Sequence, residues 1–132
     1  GAIRPWQHVL EPLSGYLALA EALAESGAQA AEAWNFGPVD DDARPVGWIL
    51  ERLSARVPEL RWQCDALPQP HEANYLKLDS SKARACLGWA PRWRLDKALE
   101  MTVDWHRAWR HGSDMRAVSL AQIAEYAAGA TD

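Results

Sequence analysis

Glycine never clusters in this chain: its eight copies stand singly along 132 residues. A doubly wound fold binds a dinucleotide through a glycine-rich turn that lets the backbone approach the pyrophosphate. That turn is missing here. Cysteine is scarce, with only Cys64 and Cys86. Without a CxxC pair or an export signal, these read as free, buried thiols rather than a disulfide. The four histidines do not cluster either, and His106 and His111 miss the spacing that puts two ligands on one helical face. No metal site is expected. No apolar run approaches bilayer length, and no signal-peptide pattern opens the chain. A basic excess is also lacking: the net charge of -4 argues against a sequence-independent nucleic-acid binder.

What is present is ordinary in bulk. Apolar residues make up 48% and charged ones 24%, as in a soluble globular domain with one real core. Tryptophan is the exception, with eight copies. Each is a large apolar group with one donor, so core packing is the main role expected, with a ligand wall as the alternative.

In chain order, Ile3 to Val9 reads as an extended segment with Trp6 central, and Pro5 makes an interior strand position awkward. Pro12 suits a first helical turn. Leu13, Tyr16 or Leu17, Ala20, and Leu23 or Ala24 then predict an inward face, and Gly27 closes the helix. Ala33–Phe36 reads as a short strand, followed by a solvated acidic loop at Asp40, Asp41 and Asp42. Pro45 opens a helix with Val46, Ile49, Leu50, Leu53 and Val57 inward. Leu60, Trp62 and Cys64 alternate with polar residues, which predicts a half-buried strand.

The most ordered stretch runs from Pro68 to Trp109. A polar loop leads into a short strand at Tyr75–Leu78, and Asp79 is placed to cap a helix. Ala83 and Leu87 face inward on that helix, Gly88 ends it, Trp89 folds back, and Pro91 blocks continuation. From Leu95 an amphipathic helix carries Ala98, Met101, Trp105 and Ala108 on one stripe, with Leu99, Val103 and His106 beside it. Gly112 ends it. Ser119 and Gln122 have capping-box spacing for a last helix carrying Leu120, Ile123 and Ala127.

This order, D-x-S-K followed by LGW-x-P, resembles the C-terminal end of the extended short-chain dehydrogenase/reductase family, among its nucleotide-sugar dehydratases and epimerases. RPWQHVLEPLSGY (Arg4–Tyr16) and HEANYLKLDSSKA (His71–Ala83) narrow the resemblance to the branch acting on CDP-linked sugars. It spans nearly the whole chain. The fold it implies is α/β: the C-terminal part of a Rossmann-like, NAD(P)-binding enzyme, mostly helices with a few short strands. Residues 1–132 would form one substrate-binding portion. The family's Tyr-x-x-x-Lys pair has no counterpart at Tyr16, Tyr75 or Tyr126. It and the glycine-rich turn would belong to an N-terminal, NAD-binding portion outside this chain.

The resemblance implies a cytoplasmic lyase of deoxysugar and polysaccharide biosynthesis. In it, NAD oxidises the sugar at C4, water leaves across C5–C6, and the hydride returns to C6. A homo-oligomer is implied, with no nucleic acid or membrane as partner. On the substrate side, Arg4 would reach the nucleotide diphosphate, and His71 and Tyr75 would line the nucleotide-sugar pocket. Arg44 falls where relatives contact the diphosphate, though its residue type differs from theirs. No catalytic or cofactor-binding residue is expected here, so the chain alone would be inactive. Taken by themselves, Arg4 reads as a surface salt bridge, His71 as a loop cap and Tyr75 as strand packing. Another nucleotide-sugar dehydratase or epimerase, or a non-catalytic sugar-nucleotide binding module, carries the same features.

Overall fold

A computed structural model describes residues 2–64 and 74–129. Among them the chain runs as strand β1 (Ile3–Pro5), helix α1 (Leu10–Ser26), strand β2 (Ala43–Pro45), and helices α2 (Val46–Arg56), α3 (Ser81–Leu87), α4 (Leu95–Arg110) and α5 (Met115–Ala128). The architecture is mostly helical, with a small sheet in which β1 and β2 pair antiparallel. Pro5 and Pro45 each end a strand, where a missing N–H is tolerated. No helix among the described residues is long and apolar enough to cross a membrane.

Local chemistry sets several boundaries. Asp79 accepts the Ser81 N–H at 2.8 Å and starts α3. Gly88 takes φ +61°, a left-handed conformation that favours glycine, and ends α3. The Trp89 N–H then returns to the Ala83 carbonyl at 3.3 Å. This seats the indole against Phe36 and Ala83 in the first of three apolar clusters. The second joins Ile49 to Leu95 and Leu99, with Trp6, Trp48 and Leu53 against them. The third joins Trp93, Met101 and Tyr126. Core packing therefore takes Trp6, Trp34, Trp48, Trp89 and Trp93, while Trp62, Trp105 and Trp109 stay exposed.

The inner face of α1 differs from the expected one. Glu11 and Gly15 are buried, while Leu13, Tyr16 and Leu17 are exposed. Two contacts fix that rotation. Glu11 is held from inside by hydrogen bonds. Phe36 lies so close to Gly15 that a Cβ there would meet its ring at 2.3 Å. An apolar stripe read from spacing gives way to these contacts.

Two of the expected strands are irregular. Ala33–Phe36 and Leu60–Cys64 have no ladder among the described residues, because strand propensity needs a partner edge to become a strand. At Tyr75–Leu78 the pairing reduces to one parallel bridge, Ile3 to Tyr75. Helix α5 starts at Met115, not after Ser119, because Asp114 accepts the N–H groups of Arg116 and Ala117. Ser119 and Gln122 instead serve as acceptor and donor within the helix pair: Ser119 accepts from the Trp105 indole, and Gln122 donates to the Met101 carbonyl. Leu120 and Ile123 are exposed. Cys64 and Cys86 are free, but both are exposed rather than buried.

The acidic loop is only partly solvated. Asp42 is buried and accepts from Arg94 at two atoms, 3.0 and 3.3 Å, and from the Leu95 N–H at 3.2 Å. It thereby anchors the start of α4.

Candidate functional site

Of the residues singled out for substrate binding, Arg4 and Arg44 lie on the small sheet and Tyr75 bridges its edge. Its register sets Arg4 directly opposite Arg44. Opposed residues of an antiparallel pair share a face, so two guanidinium side chains rise from the same side. The Trp6 indole donates to the Arg44 carbonyl at 2.9 Å, fixing the strand that carries it. Arg4 Nη1 donates to the Ile3 carbonyl at 2.9 Å.

Tyr75 bridges the edge of the same sheet from a distant part of the chain. The Ile3 N–H donates to the Asn74 carbonyl at 2.9 Å, and the Leu76 N–H donates to Ile3 at 3.2 Å. That bridge aligns Tyr75 with Ile3, so by strand alternation it leaves on the face opposite the two arginines. Arg4 and Arg44 are thus brought together, with Tyr75 adjacent but turned away. His71 lies outside the described residues.

Composition and spacing did not single out two further groups, Lys77 beside Tyr75 and Trp48 beside Arg44. The Lys77 ammonium lies 5.6 Å from the centre of the Tyr75 ring and 3.0 Å from Asp40. A hydrogen bond to Tyr75 and the Asp40 carboxylate raise the Lys77 pKa. Lys77 therefore remains a cation and does not serve as a base. Trp48 was also missed, though its signal was in the sequence. Trp48 and Arg52 stand four residues apart on α2, which places them on one helical face, and Arg44 precedes them on β2. The Arg44 guanidinium carbon lies 5.6 Å from the Trp48 ring centre, and that of Arg52 lies 4.7 Å away. Cation–π contact orders both.

Chemically, the arginine face favours an anion. Two guanidinium groups on one face can each offer an anion charge-assisted hydrogen bonds. A cavity of about 800 Å³ opens between α1, the end of α3 and α5, and another of about 330 Å³ lies beside His8, Trp105 and Gln122. Neither is lined by Arg4, Arg44 or Tyr75. Charge and register mark the arginine patch.

No family model matches the chain. Over 131 residues it is 48% identical to the CDP-glucose 4,6-dehydratase of Salmonella typhimurium. The match takes in 98% of this chain but 36% of that protein, so the chain spans about a third of its relative's length. Along almost all of its residues, the chain is similar to part of a CDP-glucose 4,6-dehydratase.

Proposed function

We propose that the chain is the substrate-binding, C-terminal portion of an NAD-dependent CDP-glucose 4,6-dehydratase, a lyase forming CDP-4-keto-6-deoxyglucose and water. The observation that carries this reading is the 48% identity sustained over 98% of the chain. The opposed arginines support it, because a nucleotide diphosphate is the kind of anion that two guanidinium groups receive at several points. Arg4 and Arg44 would hold the diphosphate, and Tyr75 and His71 would bound the rest of the nucleotide-sugar. The chain's own residues do not fit NAD, since the glycines stand singly and no glycine-rich turn follows a strand. NAD would be held, and hydride chemistry supplied, by an N-terminal portion of the same protein. That portion and the CDP-sugar are the proposed partners, in a cytoplasmic homo-oligomer.

Calorimetric titration of the chain with CDP and with NAD tests the assignment. CDP is expected to bind and NAD is not. Micromolar affinity for NAD would overturn the division of labour. In the complete protein, CDP-glucose should be converted to the 4-keto-6-deoxy product, and no conversion in the presence of NAD would refute the activity.

A further inference from the structure

We infer that Arg52 is a further phosphate-binding residue of the arginine patch, with Trp48 as the positioning residue that holds it beside Arg44. This rests on the diphosphate reading above and extends it by two residues on α2.

Arg44 ends its side chain over Trp48 from β2, and Arg52 reaches the same indole from two turns into α2. The guanidinium carbons lie 5.6 and 4.7 Å from one ring centre, so both cations attend the same indole. Trp48 itself is anchored, packing against the cluster of Ile49, Leu95 and Leu99. A flexible arginine stacked on a fixed ring loses less freedom when it binds, so part of the ordering is done before the ligand arrives. The stack also neutralises nothing: an indole face attracts a guanidinium without cancelling its charge. Among the described residues Arg52 pairs with one carboxylate, Asp96 at 3.6 Å, which also lies 3.7 Å from Arg56. The Arg52 and Asp96 side chains are 48% and 57% exposed. A pair this long and this wet contributes little, so Arg52 can turn its donors to a phosphate at small cost. Arg4, Arg44 and Arg52 then form an array that suits a ligand with more than one phosphate.

The test is calorimetric titration of the whole chain with CDP and with inorganic pyrophosphate, at two salt concentrations. Arg52→Ala should weaken both ligands by roughly five-fold and flatten the salt dependence, with the melting temperature unchanged. Trp48→Phe, which keeps an aromatic face, should bind nearly as the parent does. Trp48→Leu, which keeps only apolar volume, should lose about as much as Arg52→Ala. A merely structural Trp48 would alter melting in both variants and leave the salt dependence alone. If Arg4→Ala and Arg44→Ala weaken binding while Arg52→Ala does not, the inference falls and the diphosphate reading stands. If none of the three arginine variants matters, or the parent chain binds neither probe, both fall.

Discussion

Glu11 and Arg44 show two opposite treatments of charge. The Glu11 carboxylate is fully enclosed, yet no ion pair to it is found among the described residues. It accepts instead from the Arg92 N–H at 3.0 Å, the Trp93 N–H at 2.7 Å and the Tyr126 hydroxyl at 2.6 Å. Burial, and next the bond to Glu11, raise the Tyr126 pKa, so the phenol stays protonated and keeps donating. Ser14 extends the network, lying 3.0 Å from the Tyr126 hydroxyl and accepting from the Trp89 indole at 2.8 Å. Arg44 is the reverse: exposed, set opposite another arginine, and stacked on a ring that leaves its charge intact. Fully satisfied buried charge fixes a fold. Like charges kept together at a surface reduce stability slightly and favour an anionic ligand. The difference teaches which part of the molecule holds it together and which part is disposed to bind.

Mutation should separate the two. Glu11→Ala has the largest expected effect, since it strands two backbone donors and a phenol inside the protein. The loss is about 3–5 kcal/mol, read as a large fall in the urea midpoint. A change below about 1 kcal/mol would mean that water reaches the site. Asp42→Ala comes next. It removes the acceptor for the Arg94 guanidinium and for the first amide of α4, at about 2 kcal/mol. Both losses should appear in stability, and CDP affinity in whatever remains folded should change little.

The sequence made the locally closed features legible. Gly27, Gly88 and Gly112, where the expected helices end, all take positive φ, and Asp79 and Trp89 act within a turn or two of themselves. The irregular stretches at Ala33–Phe36 and Leu60–Cys64 were not legible, because alternation says nothing about whether a partner strand exists. Nor was the rotation of α1, which depends on Glu11 reaching residues 92, 93 and 126 and on Phe36 filling the space beside Gly15. At the candidate site, Arg4 and Arg44 were individually visible by resemblance, but their opposition arises only from the register of two distant strands. Lys77 was passed over as the polar half of an alternating pair. Its contacts with Asp40 and Tyr75 depend on where the acidic loop folds.

The arginines should behave in the contrary way to Glu11. In the chain, Arg44→Ala should leave stability within about 0.5 kcal/mol of the parent, because the side chain is exposed and stacks on Trp48. In the complete protein, Arg4→Ala should raise the Michaelis constant for the CDP-sugar by about ten-fold or more, as expected for a lost charge-assisted contact. His71→Ala and Tyr75→Phe should do less, since each removes a neutral hydrogen bond. If Arg4→Ala lowers the melting temperature and leaves the kinetics alone, Arg4 belongs with Glu11 as a residue that holds the fold.

The smallest effect tests whether burial alone can make a charge unwelcome, and His8 is the residue for it. His8 is buried with its ring edge-on to Trp93, centroids 5.0 Å apart. Its Nδ1 accepts the Leu10 N–H at 3.3 Å, so the neutral ring carries its proton on Nε2. Burial lowers the His8 pKa below the ordinary value of 6.5. The unfolded chain therefore takes up a proton at a higher pH than the folded one does. Below about 6.5 the unfolded state binds more protons, and stability falls as pH falls. Above that value the neutral ring is common to both states, and its contribution is fully present. Melting temperatures measured from pH 7.5 down to 5.5 should decline gently in the parent chain. In His8→Asn, whose side-chain oxygen can still accept from the Leu10 N–H, the decline should shrink. An equal slope in both proteins would mean that another group governs this window and that burial at His8 is without consequence for proton uptake.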